Sequence, residues 1–259
     1  MKHGFIGFGN MAQSIYRGLK EDSENEFVYT SKRNSYTHIP SFKELSDLVH
    51  FSDTVWLCVK PQVLEEILDQ LKVLNLKDKV VVSIIAGKSI SFMEKYLEDE
   101  ITIIRTMPNL AIEYSKSVTA FCSNSEGSTV DIIKWDLERL WKVVELEEEK
   151  FDLFTAIFWS GPAFLLEILQ VFKNKIDDLG VSDQKNNELL SELLAGTWEY
   201  FKNKKNHQTI EDLIRNVTSK WWVTQAGLEY FWKNNWDELL EQVIEVALKK
   251  SKDIWSSWE

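Results

Sequence analysis

A strand, a glycine turn and a helix follow one another within the first twenty residues, and this run constrains the fold more than any other feature. Lys2-His3-Gly4-Phe5-Ile6 reads as a short buried strand, followed at once by Gly7-Phe8-Gly9-Asn10-Met11-Ala12. Ser14 to Lys20 then carries Ile15, Gly18 and Leu19 at helical spacing. Small residues occupy all three positions of a G-x-G-x-x-A pattern. The first glycine permits a tight turn, and the second lets a pyrophosphate approach the backbone. Ala12 lets helix and strand pack closely, and the helix N-terminus offers free N–H groups to an anion. Gly7, Gly9, Asn10 and Met11 are therefore candidate cofactor-binding residues; the plain alternative is an ordinary strand–helix turn.

Apolar strand-like runs alternate with helical patterns to about residue 145. Phe27–Thr30, Asp53–Val59, Lys79–Ile85 and Ile101–Arg105 read as strands two to five, with helices such as Gln62–Lys72 and Ile90–Leu97 between them. Continuous apolar strands alternating with helices predict a parallel sheet covered on both faces. In such sheets ligands bind beyond the strand C-termini, so the residues after each strand are the ones to read. After the second strand come Ser31, Lys32 and Arg33. An Asp or Glu expected there for an NAD ribose is absent, and the hydroxyl and two cations suit a 2′-phosphate. NADPH is thus the expected cofactor, with NADH possible; the alternative is a solvated basic turn. Val59-Lys60-Pro61 follows the third strand, Ala86-Gly87 the fourth, and Met107-Pro108-Asn109 closes the fifth. Taken singly, such turns are ordinary loop chemistry.

Beyond residue 150 the patterns are helical only, as in Lys150–Asp177, Asp183–Phe201 and Trp236–Trp255. The expected division is a nucleotide-binding domain over 1–150 and a helical domain over 151–259. Several of these helices are apolar on more than one face, as with Phe164-Leu165-Leu166, and such helices must be buried in a core or against a partner chain. Ten of eleven tryptophans fall after residue 130, consistent with an interface but also with a core. The apolar stretch Leu153–Leu166 is shorter than a membrane span and contains Gly161-Pro162, so it reads as a core helix.

The net charge of −11 is spread as −6 over residues 1–150 and −5 over 151–259. Neither half has the basic bias that nucleic acid requires. Two isolated cysteines, Cys58 and Cys122, make no disulfide framework, and the N-terminal apolar stretch is too short for a signal peptide. A soluble, cytoplasmic protein is expected, with no nucleic-acid or membrane partner. None of the four histidines lies in the turn motifs. No Ser-His-Asp set or His/Cys metal cluster is visible, so no metal is expected.

The turns taken together resemble the pyrroline-5-carboxylate reductase family. The resemblance rests on Gly4–Met11, Val59–Gln62, Ser83–Gly87, Arg105–Asn109, Thr155-Ala156 with Ser160–Ala163, Val217–Ser219 and Thr224–Leu228, in order and nearly end to end. It implies an α/β chain with an N-terminal Rossmann-like parallel sheet and an all-α substrate and dimerisation domain. It also implies a homodimer, sometimes assembled into rings. The implied reaction is reduction of 1-pyrroline-5-carboxylate to proline, with hydride passing to the imine carbon and a proton to the ring nitrogen. The family's carboxylate loop reads approximately V-T-S-P-G-G-T-T, and here it is Val217 to Thr224. Ser219 matches a carboxylate-binding hydroxyl, and Thr224 a threonine that hydrogen-bonds the ring nitrogen and is the catalytic candidate. Pro-Gly-Gly has become Lys220-Trp221-Trp222, and Val223 replaces a hydroxyl. The family's S-G-S-G-P is Phe158–Pro162, so the pocket has gained aromatic bulk twice. Lys220, Trp222 and Val223 join Ser219 and Thr224 as candidate substrate-binding residues. Two alternatives are a reductase of a larger or flatter imine, and a non-catalytic NADP-binding protein with an aromatic-blocked pocket.

Overall fold

The structure, a computed structural model, describes residues 1–21, 24–32, 38–97, 100–114, 116–140, 142–219 and 223–256. Seven strands form one sheet: β1 Lys2–Ile6, β2 Glu26–Thr30, β3 Thr54–Leu57, β4 Val80–Ser83, β5 Thr102–Met107, β6 Val118–Ser123 and β7 Lys142–Glu145. The spatial order is β2-β1-β3-β4-β5-β6-β7. Pairing is parallel from β2 to β5, antiparallel between β5 and β6, and parallel again between β6 and β7. The sequence pattern finds the first five strands; β6 and β7 are additions to it. Val118–Ser123 mixes Thr, Ala and Cys with its apolar residues, and β7 at the edge is only half-buried. Neither has the unbroken apolar run that marks β3 and β4, which are buried at every position.

Eleven α-helices lie among the described residues: α1 Asn10–Leu19, α2 Leu45–Phe51, α3 Leu64–Leu71, α4 Ile90–Glu94, α5 Ser128–Leu140, α6 Phe151–Phe154, α7 Gly161–Asp177, α8 Asp183–Lys204, α9 Ile210–Val217, α10 Val223–Lys233 and α11 Trp236–Ser256. Side-chain alternation along the strands divides the sheet's core in two. Val55, Leu57, Val81 and Ile103 point to one face and pack with α2, α3 and α4 through Leu48, Leu68 and Met93. Phe5, Trp56, Val82 and Ile104 point to the other, against Ile15 of α1 and Ile133 of α5. Leu68 is fully buried; truncating such a leucine to alanine typically costs about 2–5 kcal/mol.

The chain forms two compact units, Met1–Trp159 with Ala247–Glu259, and Ser160–Val246. In the first, Phe151 and Phe154 of α6 pack with Met107 and Ala120. A π-helical turn, Thr155–Trp159, follows α6. Its cause lies just downstream. Pro162 has no N–H to give to the carbonyl four residues back, Phe158, and the ring crowds that carbonyl. The helix does not stop there. Glu148–Asp177 is one helical run of 30 residues, long and apolar enough by length and composition to cross a membrane. This corrects the expectation of a short core helix, because little of its apolar window is buried inside the chain.

The second unit is helical throughout its described residues. Ser182 caps α8, and a reciprocal Thr209–Asp212 capping box starts α9. Asn186, fully buried, donates to the Lys173 carbonyl and the Asp177 carboxylate, tying α8 to the end of α7. Leu213 is the one apolar side chain buried among the unit's described residues, while Leu165, Leu166, Trp198, Tyr230 and Val246 are all more than half exposed.

Candidate functional site

Because β2, β1, β3, β4 and β5 run parallel, the turns that leave them share one edge of the sheet. Gly7–Met11 follows β1, Ser31-Lys32 follows β2, Val59-Lys60-Pro61 lies just beyond β3, and Ala86-Gly87 beyond β4. Met107 closes β5, and Asn109 lies two residues on. The fold thus brings the predicted cofactor residues together, except that Arg33 lies outside the described residues.

The two fingerprint glycines answer to different demands. Gly7 has φ +85°, and a Cβ there would sit 2.6 Å from the Cys58 carbonyl oxygen. Its own chain requires glycine, since this turn presses β1 against the end of β3; Gly7 N–H donates to Thr30 O and Cys58 N–H to Ile6 O, both at 2.9 Å. Gly9 has an ordinary φ of −79°, and a Cβ there would meet nothing within 4 Å. Among the described residues nothing forbids a side chain at Gly9, so the open cradle it leaves suits something from outside. Gly9 is also the N-cap of α1 and offers no side chain to the first-turn N–H groups. Ser89 caps α4 and Thr209 caps α9, whereas α2, α3 and α7 start, like α1, without a side-chain cap; α1 is the one of these that follows the glycine turn. An uncapped helix start with its dipole facing an open glycine turn has the N–H donors and the field that suit an anion.

Adjacent carboxylates on the first turn of α3 reach the turns on either side. Glu66 Oε1 lies 2.9 Å from Lys32 Nζ, with both side chains exposed. Glu65 Oε1 lies 3.6 Å from Lys88 Nζ, which is buried and also sits 3.7 Å from the Phe92 ring centroid. Burial pulls the Lys88 ammonium below its ordinary pKa, and Glu65 opposes that shift.

At β5 the predicted residues are buried. Met107 packs in the cluster with Phe151 and Phe154. Asn109 Nδ2 donates to the Phe158 carbonyl at 3.1 Å, and its Oδ1 accepts from the Ala111 N–H. That amide takes the place of the N–H that Pro162 lacks, so the end of β5 holds the π-turn. Arg105, fully buried, donates to Glu148 Oε1 at 2.8 Å and lies 4.6 Å from the Phe151 ring centroid. The same Glu148 oxygen accepts the Ile90 N–H that starts α4. Burial, then the nearby Glu148 charge, pushes the Cys122 thiol up to about 12. Burial raises Cys58 as well, so neither thiol is a nucleophile near neutral pH.

The substrate candidates belong to the helical unit. Ser219 is exposed just past the end of α9, and Val223 and Thr224 open α10, also exposed. Lys220 and Trp222, with Trp221, lie outside the described residues. Sequence reasoning missed Glu65, Glu66, Lys88 and the Arg105–Glu148 pair. Their signal was present in the Glu65-Glu66 doublet at a helix start and in Arg105 within the quoted Arg105–Asn109 motif. Only the fold pairs them with partners distant in sequence.

The family model for pyrroline-5-carboxylate reductase dimerisation matches residues 148–254, and that for NADP oxidoreductase, coenzyme F420-dependent, matches residues 2–87. The chain is 27% identical to pyrroline-5-carboxylate reductase 2 of Bacillus subtilis, over 98% of this chain and 95% of that one. It is 28% identical to the pyrroline-5-carboxylate reductase of Staphylococcus aureus, over 98% of each. Over nearly its whole length the chain is similar to pyrroline-5-carboxylate reductases. Solved structures of the family share its fold. Pyrroline carboxylate reductase of Plasmodium falciparum, with NADP bound, matches at TM-score 0.89 and 24% identity over 98% of each chain. The Streptococcus pyogenes enzyme matches at 0.88, again at 24% identity and 98% coverage of each. Residues 148–254 match the family's dimerisation model, and they include the exposed apolar side chains of the helical unit.

Proposed function

We propose that this chain is an NADPH-dependent reductase that converts 1-pyrroline-5-carboxylate to proline, working in the cytoplasm as a homodimer through its helical domain, with a ring of dimers as the larger assembly. The observation that carries this reading is the open turn at Gly9 ahead of an uncapped α1, in a chain similar to this family. A reduced nicotinamide, when bound, supplies the hydride. Gly7, Gly9, Asn10 and Met11 fit its pyrophosphate, and Ser31, Lys32 and Arg33 its 2′-phosphate. Val59, Lys60, Pro61, Ala86 and Gly87 border the same sheet edge. Met107 and Asn109 shape that edge from beneath, through packing and through the hold on Phe158.

In the helical domain, Ser219 and the loop with Lys220, Trp222 and Val223 hold the substrate carboxylate, with Lys220 supplying charge where the family uses glycine N–H groups. Thr224 hydrogen-bonds the ring nitrogen. A protonated imine is already electrophilic, so catalysis consists mostly of positioning and electrostatics. The domain division we infer is 1–150 for the nucleotide and 151–259 for substrate and dimerisation. The test is oxidation of NADPH by the purified protein with pyrroline-5-carboxylate, run beside NADH. Turnover at an ordinary enzymatic rate, on the order of 1–1000 per second, is the expected result. Tight NADPH binding with no turnover would overturn the substrate.

A further inference from the structure

The turn that leaves β2 does not face the cofactor edge alone. Lys32 is its described cation, and the Lys32 ammonium is held 2.9 Å from Glu66 Oε1. Glu66 comes from the first turn of α3, which begins after β3 on the far side of β1 from β2. The carboxylate therefore reaches across the edge from one turn to another. Its neighbour Glu65 reaches the opposite way, to Lys88 beyond β4. Lys32 and Glu66 are both solvent-exposed, so the pair is weak and screened, and an incoming dianion can open it. We propose that Glu66 is a specificity-determining residue that tunes the protein's discrimination between a 2′-phosphorylated and an unphosphorylated adenosine. It does so by holding Lys32 and by setting its own negative charge beside the place that phosphate takes.

The inference rests on the proposed 2′-phosphate role of Ser31 and Lys32, and on no step of the reaction. A 2′-phosphate must compete with Glu66 for the Lys32 donors, whereas a ribose 2′-hydroxyl meets no such charge. Removing the Glu66 charge releases Lys32 and removes the repulsion, so the phosphorylated ligand gains and the other does not. The pair differs from the carboxylate of an NAD-selecting turn, because that carboxylate stands at the end of the second strand, and the β2 turn has none in Ser31-Lys32.

The test is direct binding of two fragments to the full chain by calorimetry, adenosine 2′,5′-bisphosphate and adenosine 5′-monophosphate. Wild type, E66Q, K32A and the double variant are compared. We expect E66Q to bind the bisphosphate about two- to fivefold more tightly, in line with an exposed ion pair, with the monophosphate changed less than about twofold. The gain should vanish in the K32A background and fade by about 0.5 M salt. If K32A weakens the bisphosphate but E66Q leaves it unchanged, the Glu66 inference fails while the basic turn keeps its role. If the bisphosphate binds no more tightly than the monophosphate to wild type and K32A is silent, the 2′-phosphate reading fails, and this inference with it.

Discussion

The two units of this chain stand in opposite relation to their own surfaces. The sheet unit closes an apolar cluster on each face, with Leu57 and Leu68 in one and Phe5 and Trp56 in the other. The helical unit has comparable apolar material and, among its described residues, buries one apolar side chain of it, Leu213. Between α8 and α9 lies a cavity of about 620 Å³ lined by Leu193, Phe201, Ile210, Ile214 and Val217. A monomer that exposed so much apolar surface would be unusual. The difference teaches where each half finds its core: the first within one chain, the second between copies.

The largest effect is expected where that comparison is broken outright. Leu165 and Leu166 on α7 are nearly two-thirds exposed. On a true monomer surface, changing both to Glu would shift stability by about 0.5 kcal/mol or less. In the proposed homodimer the same L165E/L166E change should weaken association by two orders of magnitude or more, read by sedimentation as a shift to single chains.

The sheet unit should show its self-contained core through pH. His3 is buried on β1, stacked on Phe27, and its Nδ1 accepts from Trp56 Nε1 at 3.2 Å. Burial, with a smaller push from the N-terminal ammonium, lowers its pKa from 6.5 to about 4. The unfolded chain therefore takes up the proton first. The neutral imidazole's contribution is complete above about pH 6.5 and is lost as pH falls to about 4, a difference of about 3 kcal/mol by linkage. Denaturant titrations across that window should lose this slope in His3→Gln.

Smaller effects sharpen the contrast inside the nucleotide edge. Gly7→Ala should cost about 2–4 kcal/mol, from the clash with Cys58 O and the left-handed φ. Asn109→Ala orphans the Phe158 carbonyl and should cost about 1–3 kcal/mol in thermal or chemical unfolding. Gly9→Ala should leave stability within about 0.5 kcal/mol while weakening NADPH roughly tenfold, because a Cβ there meets no described residue but stands in the proposed pyrophosphate cradle. Equal stability losses for Gly7→Ala and Gly9→Ala would remove the distinction between them.

Much of this fold is legible in the sequence for a local reason. Strands such as Val80–Ser83 are buried on both faces and need unbroken apolar runs, and the turn at Gly7 needs a glycine in its own backbone. Edge strand β7 and the mixed β6 carry no such local demand, because their pairing comes from the neighbouring strand. Helix Glu148–Asp177 is read correctly as helical but wrongly as core, since hydrophobicity reports the need for burial and not the chain that supplies it. At the candidate site, positions along the motif are readable, whereas the ties between Lys32 and Glu66, and between Asn109 and Phe158, join residues 34 and 49 apart. No local pattern encodes such pairs.

The measurement that bears most directly on the two-core account is the mass of the purified protein in solution, by sedimentation equilibrium over a range of concentrations. One chain is 30.3 kDa. The account requires twice that mass or a higher even multiple, persisting at micromolar concentration. A folded 30.3 kDa species that keeps its helical unit intact would contradict it, because that unit would then be stable with its apolar faces in water.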